Sequence, residues 1–203
     1  MRKSKFAKDR YIVLRKVITK EVANFLLHYL VLKRKVANTI HIKRGGEVGD
    51  GSIGTFKDAQ VPGAYSIYGD PAFDTLLNSA THIVSKLLGQ NVFPTYSYSR
   101  LYTRGHELKR HKDRPSCEIS TTVNLGGEPW PIFVEPSGKK NKKGKKINLK
   151  PGDMLFYFGC KLEHWREPFK GKVCGQAFLH YTTNTKLMFD YRPHLGLPDF
   201  KKI

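Results

Sequence analysis

Apolar residues recur along the chain with two periods, and the change of period divides it. From Tyr11 to Ile18 (YIVLRKVI), β-branched and aromatic residues crowd together and predict a strand. Thr19 then stands as an N-cap before a helix expected over Lys20 to Lys35. Its apolar face is Val22, Phe25, Leu26, Tyr29 and Leu30, at i, i+3, i+4, i+7 and i+8. A second helix opens at Asp70-Pro71, a cap followed by proline at the first helical position. It carries Phe73, Leu76, Leu77, Ala80, Val84, Leu87 and Leu88 on one face and stops at Gly89. From Val92 on the period shortens to two. Tyr96, Tyr98, Arg100 and Tyr102 alternate with Ser97, Ser99 and Leu101. Cys117, Ile119, Thr121, Val123 and Leu125 alternate with Glu118, Ser120, Thr122 and Asn124. Trp130–Val134, Met154–Phe158 and Gln176–Thr182 complete the set, with turns at Gly126-Gly127 and Pro151-Gly152-Asp153.

Short strands at this spacing predict a sandwich or jelly roll, with the two helices packed on one outer sheet face. The chain has 203 residues and reads as one domain: an N-terminal α/β part (1–91), a β core (92–185) and a C-terminal tail (186–203). Twelve Phe, ten Tyr and two Trp spread along it exclude wholesale disorder. No apolar run is long enough for a membrane span, and the basic start MRKSKFAKDRY lacks the apolar stretch of a secretory signal. Cys117, Cys160 and Cys174 form no framework of pairs, so a reducing cytoplasm is the expected compartment.

The formal net charge of +19 points toward anionic partners. Six lysines lie in the run Lys139–Lys146 (KKNKKGKK) between two expected strands. A polar connecting loop is the plain reading of that run, and a docking surface for phosphates is the functional one. Gly45, Gly46, Gly49, Gly51 and Gly54 mark a second, flexible loop.

Candidate chemistry centres on His111-Lys112-Asp113. On a strand, residues i and i+2 share a face, so His111 and Asp113 can reach one ion together. The best third ligand is His164, expected near the end of the strand that opens at Pro151-Gly152-Asp153. Two histidines and a carboxylate on one side of an ion leave adjacent positions open, as non-haem Fe(II) oxygenases require. A rival with a soft ligand is Cys160-x3-His164, but no second Cys/His pair completes a structural zinc site. His28 and His82 fall in helices, and His41 and His194 in expected loops, without carboxylate partners in sequence.

Tyr102-Thr103-Arg104-Gly105, His111-x-Asp113, Pro151-Gly152-Asp153 and His164, in that order, resemble the 2-oxoglutarate- and Fe(II)-dependent dioxygenases. The prolyl 4-hydroxylase-like branch, with its bacterial and phage relatives, is the nearest in pattern. The resemblance covers about Phe93 to Tyr181. It implies a double-stranded β-helix with buttressing helices. It also implies Fe(II) on His111, Asp113 and His164, 2-oxoglutarate and O2 as co-substrates, and ascorbate as a reductant. The family pairs the far carboxylate of 2-oxoglutarate with a basic side chain, because a buried anion must be compensated. Two residues compete for that role. Lys172 precedes the last core strand but stands closer to His164 than the family spacing; Arg166 is two residues from His164 and offers a planar fork. Thr122, Tyr102 and Asn124 match positions around the co-substrate, and Tyr96, Tyr98 and Arg100 are expected in the substrate groove. The implied activity couples oxidative decarboxylation of 2-oxoglutarate to hydroxylation, with a peptidyl (prolyl-type) residue as first substrate. Oxidation of nucleic acid, of a small molecule, and a basic binding module without catalysis are the alternatives.

Overall fold

The computed structural model describes residues 6, 9–45, 53–139 and 142–184. Most of the glycine loop, part of the lysine run and the C-terminal tail, with His194, lie outside them. Among the described residues, ten strands and two long helices follow in order: β1 (Tyr11–Leu14), α1 (Lys20–Lys43), β2 (Tyr65–Tyr68), α2 (Pro71–Leu88), β3 (Phe93–Thr103), β4 (Leu108–His111), β5 (Ile119–Gly127), β6 (Ile132–Glu135), β7 (Lys145–Ile147), β8 (Met154–Tyr157), β9 (Glu163–Arg166) and β10 (Val173–Thr182). All strand pairs are antiparallel. The major sheet has the order β1-β8-β5-β10-β3-β2, and the minor sheet β4-β9-β6-β7. This is the expected jelly roll. The N-terminal part supplies both edge strands of the major sheet, β1 and β2.

Strand alternation assigns each face a task. On β10, Ala177, Leu179 and Tyr181 join the cluster under the helices. Cys174 and Phe178 point the other way and meet Tyr102, Leu108 and Trp130 between the sheets. Ile132, Val134 and Ile147 of the minor sheet pack on Leu155 and Tyr157 of β8. Where α2 crosses β3, the strand carries Ser97 and Ser99 rather than large side chains, and Ser97 Oγ donates to Asp74 Oδ1 at 2.7 Å.

Several elements differ from the sequence reading; β6 is shifted to Ile132–Glu135, β7 takes in Lys145 and Lys146 of the run read as a loop, and β10 begins three residues early, at Val173. Helix α1 runs eight residues further than expected, to Lys43, and takes in His41. Its buried face is also rotated, to Ala23, Leu26, Leu27, Leu30, Ala37 and His41, leaving Val22 and Phe25 exposed. The cause lies on the sheet: Gly126 and Gly175 open a hollow that receives Leu27, and a Cβ at Gly175 would come within 2.6 Å of the Leu27 side chain. A shape match of this kind is invisible to helical periodicity. Strand β1 is shorter than expected because Lys16 leaves it with φ 54°. Cys117 closes a 3-10 turn (Pro115–Cys117) instead of opening β5. The short edge strand β2 carries no sequence signal of comparable strength. Helix α2 matches at both ends: Asp70 caps it, and Gly89 ends it with φ 76°. Among the described residues no helix is long and apolar enough to cross a membrane.

Asp70 also fixes α1 against α2, accepting from the Tyr29 hydroxyl at 2.8 Å and facing Lys33 Nζ at 3.2 Å. Asp70→Ala removes a cap and strands a partly buried hydroxyl, so urea unfolding should show a loss of about 1–3 kcal/mol. Phe25→Ser, on the exposed face, should stay within about 0.5 kcal/mol.

Candidate metal centre

The register of β4 against β9 sets His111 opposite His164, with their rings 4.2 Å apart. Asp113 is not on the strand, as the i, i+2 argument assumed. It lies in the segment after β4, where its N–H donates to the Gly159 carbonyl at 3.0 Å. Nor is His164 on the strand that begins at Met154; it belongs to β9, in the opposite sheet. The three side chains still converge. Asp113 Oδ1 is 3.4 Å from His164 Nε2 and 3.6 Å from His111 Nε2. Donors in adjacent positions around an ion at about 2.1 Å stand about 3 Å apart, so a small contraction completes the set.

The backbone chooses the histidine tautomers. His111 Nδ1 lies 2.8 Å from the Lys109 carbonyl, and His164 Nδ1 lies 3.1 Å from that of Leu162. Each Nδ1 therefore keeps its proton and each Nε2 presents a lone pair to the shared point. Burial pushes the Asp113 carboxyl up, but the imidazoles of His164 and His111 outweigh it and hold the group well below its ordinary range. It is anionic, as a ligand must be.

The other carboxylate oxygen is held by residues the sequence reading missed. Ser120 Oγ donates to Asp113 Oδ2 at 2.5 Å and lies 3.1 Å from His180 Nδ1. Gly159 is pressed so closely against Asp113 and Ser120 that no Cβ fits. The legible signals were the alternation that puts Ser120 and His180 opposite each other on β5 and β10, and a glycine just after β8.

A cavity of about 400 Å³ opens over the three ligands. Tyr96, Tyr98 and Arg100 line it. Asp58, another residue missed from sequence, holds two of them: it accepts from the Tyr98 hydroxyl at 2.7 Å and from Arg100 Nε at 2.6 Å. Thr122 lines the cavity too, next to Tyr157. The other expected co-substrate residues separate. Tyr102 is buried on Trp130, its hydroxyl accepting from Arg100 Nη1 at 2.9 Å, away from the cavity wall. Asn124 is turned from the ligands: its amide donates to the Leu149 carbonyl at 2.6 Å and its oxygen accepts from Gly126 N at 2.9 Å. Lys172 is exposed in the approach to β10, where its N–H meets Glu128. Cys160 donates to the Arg114 carbonyl at 3.0 Å and is not part of the ligand cluster.

Arg166 differs from all of these. It follows His164 on the inward face of β9 and is 1% exposed. Nη1 donates to the Trp130 carbonyl, and the guanidinium lies 5.0 Å over the Trp130 ring. Nε and Nη2 are buried without a hydrogen-bond partner among the described residues. Burial lowers its pKa, yet an arginine keeps its charge. It does not itself line the cavity; its register partner Leu108 and the neighbouring Tyr157 do. Next to residues of the cavity lining, therefore, stands a buried cation whose Nε and Nη2 lack partners among the described residues, an environment that fits the far carboxylate of a dicarboxylic acid.

No family model matches the sequence, and no curated protein matches it. Solved structures do match. A prolyl-4-hydroxylase from Pseudomonas putida superposes with a TM-score of 0.66 at 11% identity, over 91% of this chain and 100% of that one. HygX from Streptomyces hygroscopicus, solved with nickel, 2-oxoglutarate and hygromycin B bound, gives 0.64 at 12% identity, over 90% and 86%. The viral collagen prolyl hydroxylase of Paramecium Bursaria Chlorella virus-1, as a 2-oxoglutarate complex, gives 0.55 at 14%, over 85% and 95%. The chain has the jelly-roll fold of the 2-oxoglutarate- and Fe(II)-dependent oxygenases.

If Ser120 fixes the carboxylate of a metal ligand, Ser120→Ala should weaken Ni(II) binding by about 10- to 100-fold in calorimetric titration, with Ser120→Thr recovering part of it. An unchanged affinity would remove Ser120 from the site.

Proposed function

We propose that this protein is an Fe(II)- and 2-oxoglutarate-dependent dioxygenase that hydroxylates a peptidyl residue of prolyl type. The observation that carries the reading is the pairing of an open-faced His-Asp-His cluster with a buried, uncompensated guanidinium two residues along the same strand. Leaving one cation buried and unpaired costs several kcal/mol. A dicarboxylate that chelates an ion at one end and meets Arg166 at the other removes that cost. Arg166 is accordingly assigned to the co-substrate in preference to Lys172.

Each side chain has a defined task. His111, Asp113 and His164 would hold Fe(II) on one side, with the remaining positions turned toward the cavity. The bound ion with 2-oxoglutarate would supply the oxidative decarboxylation to succinate and CO2 that is coupled to hydroxylation. Arg166 binds and orients the distal carboxylate. Thr122 offers a hydroxyl along the cavity. Tyr96 and Tyr98 shield it from water, and Asp58 holds Tyr98 and Arg100 in place. Tyr68 and Tyr96, stacked with centroids 4.9 Å apart, form a flat apolar wall suited to a pyrrolidine ring. The prolyl hydroxylases among the structural neighbours support the peptidyl choice.

His111→Ala and Asp113→Ala should each abolish succinate formation from 2-oxoglutarate; undiminished formation in either would sink the assignment. Arg166→Met separates the co-substrate role from the metal role. Without ligands this variant should be more stable than the parent by at least about 1 kcal/mol, because a lone buried charge is gone. Its 2-oxoglutarate affinity should fall about 100-fold while Ni(II) affinity is retained. Lys172→Ala should change neither, and a fall in 2-oxoglutarate affinity there would reverse the choice between the two.

A further inference from the structure

The charges in the cavity lining do not cancel once each ion pair is assigned. Two acids line it, Asp58 and Asp113, and both are occupied. Asp58 is spent on Arg100 at 2.6 Å and on the Tyr98 hydroxyl at 2.7 Å. Asp113 belongs to the candidate ligand set, so its charge answers to the metal. Arg100 is satisfied in turn by Asp58, Tyr102 and Gln60. What is left over is positive. Lys112 and Arg114 flank Asp113 in sequence, line the cavity and are exposed. The Arg114 guanidinium is held 5.0 Å over the Tyr96 ring, which keeps its charge at this side of the cavity. Lys112 makes no hydrogen bond or ion pair among the described residues.

The segment before β2 adds a neutral donor. Gln60 is exposed and lines the cavity, and its Oε1 accepts from Arg100 Nη2 at 3.1 Å. A guanidinium only donates, so the amide oxygen must be the atom turned toward it. The NH2 group is then the end of Gln60 left for a ligand. The exposed part of the lining therefore presents an ammonium, a guanidinium and an amide donor, and no unengaged carboxylate.

We propose that Lys112 selects substrates in which an acidic residue flanks the residue that enters the cavity. The inference rests on the peptidyl reading above and adds to it the charge of the sequence around the target. In an extended peptide successive side chains lie about 3.3 Å apart and alternate sides. A residue sent into the cavity therefore leaves its neighbours pointing back toward the rim. A carboxylate there meets a compact ammonium point charge with no competing acid. A basic neighbour meets Lys112 and Arg114 as like charges. Rim charges of this kind act on partner choice and encounter more than on total affinity, so the acid sets which peptides enter. Lys112 touches the flank of the substrate and not the reacting atoms, which makes it a specificity residue.

The test follows three fluorescein-labelled peptides by anisotropy on the metal-free full chain: Gly-Glu-Pro-Glu-Gly and its counterparts with Gln or Lys in place of both Glu. The net charge of +19 alone favours the acidic peptide, so the deciding comparison is a charge swap. Lys112→Glu should weaken the Glu peptide about 10-fold, strengthen the Lys peptide, and move the Gln peptide less than about 2-fold. Lys86→Glu makes the same change in net charge at an exposed position of α2 and should move each peptide less than about 2-fold. Lys112→Arg should keep the preference of the parent. Thermal melting checks folding; should Lys112→Glu fail to fold, Lys112→Gln carries the test with a loss of about 3-fold. Equal effects of Lys112→Glu and Lys86→Glu would reduce the preference to net charge and overturn the proposal. So would three peptides bound alike, absence of binding included. Incubation with Fe(II), 2-oxoglutarate and O2, followed by mass spectrometry, separates this proposal from the reading it rests on. One oxygen gained on proline, with KM equal for the Glu and Lys peptides, would overturn the charge selection and uphold the dioxygenase. A Glu preference that Lys112→Glu removes, with no oxygen gained, would uphold the charge selection and defeat the prolyl assignment.

Discussion

The pairing of β4 with β9 is the constraint on which the candidate site depends. Two short strands, each four residues long, place two imidazoles opposite each other at one edge of the minor sheet. A slip of one residue in either strand would send one ring to the outer face, where Trp165 and Arg110 now lie. Register here is held by contacts on both faces. Inside, Leu108 packs with Trp130 and Phe169, and Leu162 with Tyr157. Outside, Arg110 bridges to Glu163 and covers Trp165. The shift in register between Leu108 and His111 lets Leu108 and His111, three residues apart, both face inward, which uninterrupted alternation forbids.

The third ligand is held by a different logic. Asp113 has left the strand, so neither register nor pleat orients it. A main-chain hydrogen bond to Gly159, a hydroxyl from Ser120 and the absence of a side chain at Gly159 do so instead. Through Ser120 and His180 the carboxylate is tied to β5 and β10, the centre of the major sheet. The candidate ligand set therefore bridges the two sheets: two members on the minor one, and the third anchored to the major one. Relative movement of the sheets would pull the set apart, and the apolar contacts of Ile132 and Val134 with Leu155 and Tyr157 oppose that movement.

This division explains what the sequence could reveal. Local rules were sufficient for α2, whose Asp70-Pro71 start and Gly89 stop are written in adjacent residues. They were also sufficient to find β3, β5 and β10, long strands with a clear two-residue period, though not to place the starts of β5 and β10. They misplaced the buried face of α1, because two glycines on distant strands, not the helix itself, decide which side seats. His111, Asp113 and His164 were legible as residue types in a familiar order, although the local geometry first given for Asp113 was wrong. Ser120, His180 and Asp58 were not legible: a serine and a histidine in strands are ordinary, and Asp58 gains its meaning only from Tyr98 and Arg100, some forty residues downstream. Arg166 and Lys172 could not be separated from spacing alone. Burial separates them, since one is enclosed without a counter-ion and the other is in solvent.

Arg110 ties the loop after β6 to the strands that carry the candidate metal ligands. Its main contacts are the neighbours of the metal residues, Glu163 and Trp165, and the carbonyl of Lys142. A single guanidinium thus supports the β4–β9 pairing from outside and sets the path of the basic loop. Cation–π and ion-pair contacts on a partly exposed guanidinium are individually modest, of the order of 1 kcal/mol each. Their concentration on one residue makes the coupling specific rather than strong. Arg110 thus fastens the loop that holds Lys142 to the strand pair that carries His111 and His164.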